Sequence, residues 1–163
     1  MQGKSIEQNK KGPEKIGAGL FRLSGKVETA RTWTIEELLK METVEVKDIL
    51  LACGSGEPKG HIGQIRGILL TDIINSARVV TTDHNDTKKM YVIASSNDGY
   101  ATIFSWQEIF NTSVGEGIMV VLEKEGKPVY EESGAVDLFS AKDFLTGPRY
   151  VKRLAQLEIK MLG

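Results

Sequence analysis

The sequence predicts an α+β domain in which mixed or antiparallel β-sheets carry a few short helices. Segments with strand character outnumber those with helical periodicity. The helical segments are short and scattered, which argues against a doubly wound parallel fold. Turn signals at Asn97-Asp98-Gly99 and Glu125-Gly126 join neighbouring strands into hairpins.

The strand predictions rest on runs of apolar residues. Residues 43–53 alternate at first and then become continuously apolar, which is typical of a strand that runs inward. Leu157, Ile159 and Met161 alternate with polar residues, as expected for a half-buried last strand. The other predicted strands lie in residues 20–27, in hairpins over residues 90–105 and 117–130, and in residues 135–140.

Two short helices begin at capping-box patterns. Thr34 is followed three residues later by Glu37, and Ser105 is followed by Glu108. In the first helix, Ile35, Leu38 and Leu39 are predicted to share one apolar face.

A third helix is predicted from the apolar residues between Ile68 and Ile74. Their spacing is close to helical, and Thr71 or Asp72 would open the helix.

Composition limits the classes of function. The 163 residues suffice for one domain with its own core, predicted over residues 19–163. The 21 basic and 22 acidic residues nearly cancel, so nothing indicates nucleic-acid binding. No apolar run approaches the roughly 20 residues of a membrane span, and one cysteine excludes an internal disulfide.

Residues 1–18 are polar and rich in lysine, and we expect them to form a flexible lead. The segment fits either a plain cytoplasmic N-terminus or the mature end of an exported protein, and both interpretations stay open.

The stretch around Cys53 is the best candidate for chemistry. Cys53 ends an apolar strand, and it is either a small buried residue or a thiolate that faces the following loop. That loop could bind an anion through its backbone N–H groups, or it could be an ordinary surface connection. The loop is predicted to contain Gly54, Ser55, Gly56, Lys59, Gly60, His61, Gly63 and Arg66.

Two further segments carry polar groups. Asp98 and Tyr100 would lie at the rim of a site or would simply form a hairpin turn. Arg149, Lys152 and Arg153 would form an anion site or a solvated charged surface. On an extended segment Arg149 and Arg153 would share a face, with Lys152 on the other.

The order of these features resembles the sulfite oxidase-type molybdopterin-binding domain family, which includes the catalytic subunit of the bacterial methionine sulfoxide reductase system. The resemblance covers about residues 20–162. It is carried, in order, by "LSGKV", "TIEELLKM", a strand ending in cysteine, "RGILLTDII", "NDGYATIFS", "GKPV" and "GPRYVKRLAQLEI".

This resemblance implies that Cys53 is a ligand of molybdenum in a molybdopterin cofactor. Arg149 and Lys152 would hold the pterin phosphate, together with backbone donors at Gly54, Ser55 and Gly56. His61 or Arg66 would bind an oxyanion or sulfoxide-type substrate. The implied activity is two-electron oxygen-atom transfer, with a small-molecule substrate or a redox partner protein.

A second hypothesis is a non-catalytic domain of the same fold that has lost the cofactor and binds a small ligand or a protein partner. Members of the resembled family are often exported, which favours the exported interpretation of the lead.

Overall fold

A computed structural model describes residues 19–163. The predicted flexible lead, residues 1–18, lies outside the described residues. The strands are β1 (Phe21–Gly25), β2 (Arg31–Trp33), β3 (Val44–Ala52), β4 (Pro58–Leu69), β5 (Met90–Ser96), β6 (Ala101–Ser105), β7 (Ile118–Lys124), β8 (Lys127–Pro128), β9 (Asp137–Ser140) and β10 (Leu154–Met161). The helices are α1 (Ile35–Leu38), α2 (Leu70–Asn75), α3 (Trp106–Asn111) and α4 (Val129–Ser133), with 3-10 turns at Asp86–Lys89 and Ser113–Gly117.

The strands form two five-stranded sheets. The first sheet has the order β2-β1-β10-β5-β6, and its β1–β10 pair is parallel while the others are antiparallel. The second sheet has the order β3-β4-β7, and both β8 and β9 pair with β7. The predicted α+β class, with mixed and antiparallel sheets and short helices, is confirmed.

The main core contains residues of both sheets together with apolar residues of α1, α2 and α3. A smaller core lies on the other face of the second sheet. Strand β7 serves both: Val120 and Leu122 contribute to the main core, and Met119 and Val121 to the smaller one. This double burial explains why β7 is apolar at five successive positions.

Both predicted capping boxes are present. The Thr34 hydroxyl accepts from the Glu37 N–H at 3.3 Å, and the Glu37 carboxylate accepts from the Thr34 N–H at 2.9 Å. Ser105 and Glu108 make the same exchange at the start of α3, with both distances within 3.0 Å. The shared apolar face predicted for the first helix is only partly right, because Leu39 is exposed while Ile35 and Leu38 are buried.

The helix predicted from the spacing after Ile68 begins at Leu70 and has no side-chain cap, so Thr71 and Asp72 do not open it. Ile68 and Leu69 still belong to β4. A strand that passes directly into a helix keeps both segments apolar, so periodicity alone misplaced the boundary.

The largest correction concerns the predicted glycine-rich loop after Cys53. Its second half, from Pro58 onward, is the strand β4, which pairs with β3 on one side and β7 on the other. Strand β3 itself is an edge strand rather than an inward-running one, and Leu50 in its apolar run is exposed. Pairing between strands supplies the backbone hydrogen bonds that let a glycine-rich segment remain extended.

Candidate functional site

Cys53 opens the tight turn between β3 and β4, which we call the Cys53 turn (residues 53–57). The Cys53 N–H donates to the Glu57 carbonyl at 3.0 Å, and the Gly56 N–H donates to the Cys53 carbonyl at 2.8 Å. Gly56 has a φ of +91°, a conformation that favours glycine. The turn therefore has a fixed shape set by its own backbone.

The Cys53 thiol is half-buried and lies outside both hydrophobic cores. Its Sγ lies 2.8 Å from the Ser55 Oγ. Hydrogen bonding from the Ser55 hydroxyl, then from the Ser55 backbone, lowers the pKa of the thiol to about 7, and the Lys59 charge adds to the effect. The geometry favours the thiolate interpretation over a buried hydrophobe.

A cavity of about 400 Å³ lies where the β3–β4 hairpin of the second sheet meets the β5–β6 turn of the first. Its volume is in the range of small-molecule sites. Ala52 lines the cavity, whereas Cys53, the next residue in the chain, is not among the lining residues. The cavity is lined by Leu51, Ala52, Lys59, Ser96, Asp98, Tyr100, Gly147, Tyr150 and Lys152.

The charged groups of this cavity are two lysines and one aspartate. Lys59 of β4 and Lys152, just before β10, are far apart in the sequence and both line the cavity. The Asp98 carboxylate accepts hydrogen bonds from the Ser96 hydroxyl and from the Tyr100 N–H, and these bonds lower its pKa. Asp98 is therefore ionised at neutral pH, and the cavity carries an excess of one positive charge from these three groups.

Tyr150 forms a fixed aromatic wall. Its hydroxyl accepts from the Lys124 Nζ at 2.8 Å and donates to Asp137 Oδ2 at 3.2 Å, and its ring packs edge-on against Phe139. Burial, together with the Asp137 charge, raises the pKa of Tyr150. The phenol is therefore neutral and held in place at neutral pH.

Arg149, one of the two predicted phosphate contacts, is engaged elsewhere. Its guanidinium makes a bidentate pair with Asp143 at 2.9 and 2.8 Å and a third bond to Glu108 at 3.0 Å. It also lies 4.4 Å from the centre of the Phe104 ring. Because two carboxylates already neutralise it, this geometry does not favour Arg149 as an anion contact, whereas Lys152 lines the cavity.

The prediction that Arg149 and Arg153 share a face, with Lys152 on the other, assumed an extended segment. Arg153 instead has a φ of +58°, and its N–H donates to Asp137 at 3.0 Å. The side chains of this segment therefore do not alternate between two faces as they would in an extended strand.

The two predicted substrate contacts lie on β4, outside the cavity lining. The His61 side chain is 58% exposed, with its Nε2 3.9 Å from Asp48. Arg66 lies 3.5 Å from Glu123 and 3.8 Å from Glu45. Their roles as substrate contacts stay predictions, and the structure does not bring either residue to the cavity.

The structure thus groups some predicted site residues and separates others. Gly54, Ser55 and Gly56 share the Cys53 turn, next to the cavity that Lys152 lines. Asp98 and Tyr100, in the turn between β5 and β6, are among the residues that line this cavity.

Lys59 was predicted only as one donor among several, and no role was predicted for Tyr150, Thr146 or Gly147. The only sequence signal for Tyr150, Thr146 and Gly147 was that they belong to the basic segment of residues 146–153.

In residues 19–163, no group of three His, Cys, Asp or Glu side chains is arranged to hold a metal ion. The Cys53 thiolate by itself is one soft ligand. A thiol with a pKa near 7, two lysines and a cavity of about 400 Å³ fit a phosphate-bearing cofactor. None of the helices in the same residues combines the length and apolar character that a membrane crossing requires.

The chain matches no protein-family model and no curated protein. Among solved structures it is similar to the sulfane dehydrogenase SoxCD from Paracoccus pantotrophus, with a TM-score of 0.67 and 14% sequence identity. The alignment covers 90% of this chain and 39% of that one, so the chain spans well under half of the dehydrogenase chain's length. The similarity confirms the sulfite oxidase-type fold predicted from the motif order, as a distant relationship at the level of fold.

Proposed function

We propose that this domain binds a molybdopterin-type cofactor in the cavity between the two hairpins, with Cys53 as the thiolate ligand of the metal. The observation that carries the proposal is a low-pKa thiol at the residue directly after Ala52, which lines a cavity together with two lysines. The fold that the chain shares with part of the sulfane dehydrogenase adds support.

Different residues of the site would contact different parts of the cofactor. Lys59 and Lys152 attract the phosphate, and Lys59 also stabilises the Cys53 thiolate. Tyr150 is an immobile part of the lining, and the Lys152 Nζ lies 5.4 Å from the centre of its ring. Ser55 holds the thiolate through its hydroxyl. The bound cofactor would supply two-electron oxygen-atom transfer, and the protein would supply position and electrostatics.

A second function, binding of a small anion without redox chemistry, is favoured by one observation. Arg149 is neutralised by Asp143 and Glu108, and Asp98 adds a negative charge to the cavity. The cavity therefore offers little net positive charge to a cofactor phosphate. A smaller anion would need less positive charge for binding.

Metal analysis separates these functions. The protein is purified from cells that make the cofactor and are supplied with molybdate, and molybdenum is measured per chain. We expect near-stoichiometric molybdenum in the wild type and none in Cys53→Ser. Folded, molybdenum-free wild-type protein from such cells would contradict the proposal and favour the second function.

Charge variants refine the same experiment. We expect Lys59→Met and Lys152→Met to retain less molybdenum than the wild type. Lys47→Met is the matched control, because Lys47 is an exposed lysine on β3 that does not line the cavity. Equal losses in all three variants would show that the cavity lysines have no specific role.

A further inference from the structure

We propose that a second cleft, separate from the cavity described above, binds a small molecule through a phosphate group. This arginine cleft has a volume of about 520 Å³ and lies where β1 and β10 begin, beside the turn between β5 and β6. Its lining includes Arg22, Thr32, Asn97, Ala135, Arg153 and Ala155. It shares no lining residue with the cavity, so the inference does not rest on the proposed function.

The charge of the arginine cleft is positive. Within residues 19–163, its lining carries two guanidinium groups and no carboxylate. Neither Arg22 nor Arg153 forms an ion pair with a carboxylate of these residues, whereas three other arginines are paired, namely Arg31, Arg66 and Arg149. In the cavity, by contrast, an aspartate offsets one of the two lysines. The arginine cleft therefore offers an anion the larger excess of positive charge.

Arg22 is directed away from the core by the alternation of β1. Its neighbours Phe21 and Leu23 belong to the main core, so the exposed Arg22 side chain lies on the opposite face of the first sheet. Thr32 of β2 is its cross-strand partner and therefore shares that face. The Thr32 hydroxyl adds a neutral donor to the same cleft.

Arg153 reaches the cleft through an unfavourable backbone conformation. Its φ is +58°, in the left-handed region that favours glycine. The buried Asp137 carboxylate holds this conformation by accepting from the Arg153 N–H at 3.0 Å. Glycine at position 153 would keep that bond without the strain, yet the residue is arginine. A strained residue at a cleft points to a function, and here the guanidinium supplies one.

One carboxylate acts on Arg153 from outside the cleft. Asp98 lines the cavity on the other side of the β5–β6 turn. Its pKa is lowered mainly by hydrogen bonds from the Ser96 hydroxyl and the Tyr100 N–H, and to a smaller extent by the Arg153 charge. Asp98 and Arg153 form no ion pair, so this carboxylate leaves the Arg153 guanidinium donors to a ligand.

A phosphate group fits these donors better than a carboxylate does. Each guanidinium presents a planar fork of N–H groups that can bind two oxygens at once. Two forks, with the Asn97 amide and the Thr32 hydroxyl, offer more donors than one carboxylate can take, whereas a phosphate ester has three acceptor oxygens. The cleft is in the volume range of small-molecule sites, and Ala135 and Ala155 add apolar surface for the rest of the ligand.

The test is a titration of the full chain with inorganic phosphate, followed through backbone amide signals in NMR spectra. The signals of Ala135 and Ala155 report on the arginine cleft, and those of Ala52 and Gly147 report on the cavity. We expect the cleft signals to saturate with a dissociation constant of about 1 mM or lower.

Two organic anions test the assigned ligand class. Phenyl phosphate should bind the arginine cleft more tightly than inorganic phosphate, because its ring adds apolar contact. Benzoate has the same ring with a carboxylate and should bind more weakly than phenyl phosphate. Benzoate that binds as tightly as phenyl phosphate would overturn the assignment of a phosphate ligand.

Three variants test the arginines. Arg22→Gln and Arg153→Gly should each lower the phosphate affinity of the cleft about tenfold, because each loses a charge-assisted contact. Arg153→Gly should fold as stably as the wild type, since glycine accepts the φ of +58°. Arg78→Gln is the matched control, because Arg78 is exposed and does not line the cleft, and it should bind phosphate like the wild type.

The outcomes separate this site from the proposed function. Cleft signals that fail to saturate, or that saturate equally in the wild type and Arg153→Gly, would overturn the proposal. An equal loss of affinity in Arg78→Gln would attribute binding to overall charge and would also overturn it. Loss in Arg22→Gln and Arg153→Gly, with Arg78→Gln unchanged, supports the site even when the protein holds no molybdenum.

Discussion

Arg149 and Lys152 are three residues apart in one basic segment, yet their surroundings are opposite. The Arg149 guanidinium is enclosed by Asp143, Glu108 and the Phe104 ring. The Lys152 side chain is exposed and lines the cavity. The first residue connects parts of the fold, and the second presents a charge to a ligand. Two basic side chains in one motif therefore have different roles, because carboxylates surround the first and not the second.

The largest effect that tests this comparison is on stability. Arg149→Met would leave Asp143, whose side chain is 11% exposed, without its cation. Because an uncompensated buried charge is costly, we expect the free energy of unfolding to fall by about 3 kcal/mol. Urea denaturation of Arg149→Met and Lys152→Met measures the difference, and Lys152→Met should lie within about 0.5 kcal/mol of the wild type. Equal losses would remove the distinction between the two residues.

The second effect is on anion binding. Lys152→Met removes a charge-assisted contact from the cavity, and we expect the affinity for inorganic phosphate to fall about tenfold. Titration followed by NMR measures the dissociation constant at one fixed salt concentration. Arg149→Lys is the control and should bind phosphate like the wild type. An equally large loss in Arg149→Lys would show that Arg149 contacts the anion after all.

The smallest effect is a pH dependence that originates at Cys53. The pKa of Cys53 is lowered to about 7 in the folded state, so the folded protein favours the thiolate. The stability that this contributes is present above the ordinary pKa of the thiol and is lost as the pH falls through 7. Between pH 9 and pH 6 the wild type should therefore lose more stability than Cys53→Ser, as measured by urea denaturation at several pH values.

Two variants make the last prediction more specific. Lys59→Met should shift the loss to slightly higher pH, since the Lys59 charge helps to lower the pKa of Cys53. Lys152→Met should leave it unchanged, because Lys152 is not among the groups that act on the thiol. A shift in Lys152→Met alone would place that charge closer to the thiol than the structure does.

Much of the fold could be predicted from local signals. Thr34 with Glu37, and Ser105 with Glu108, start helices because each pair satisfies backbone N–H groups within one turn. The turn at residues 97–99 joins β5 to β6 as predicted, because glycine at its end accepts a positive φ of 95°. In each case the residues involved are close in sequence, so the sequence contains the whole interaction.

The failures have a common physical reason. Residues 58–69 are rich in glycine, and they form a strand because β3 and β7 pair with them from both sides. Leu50 is exposed because β3 lies at an edge. His61 and Arg66 looked like loop donors and lie on β4 instead. These outcomes depend on strands that are distant in sequence, and periodicity carries no information about them.

The sequence by itself determined the fold class, the capped helices, the hairpin turns and the position of Cys53 directly after a strand. The tertiary structure decided what surrounds that cysteine. It brought Lys59 and Lys152 to one cavity, gave Arg149 to Asp143 and Glu108, and set Thr146 against the end of β3. The reason is that local interactions fix backbone conformation, whereas a site is made of charges and donors whose partners come from remote parts of the chain.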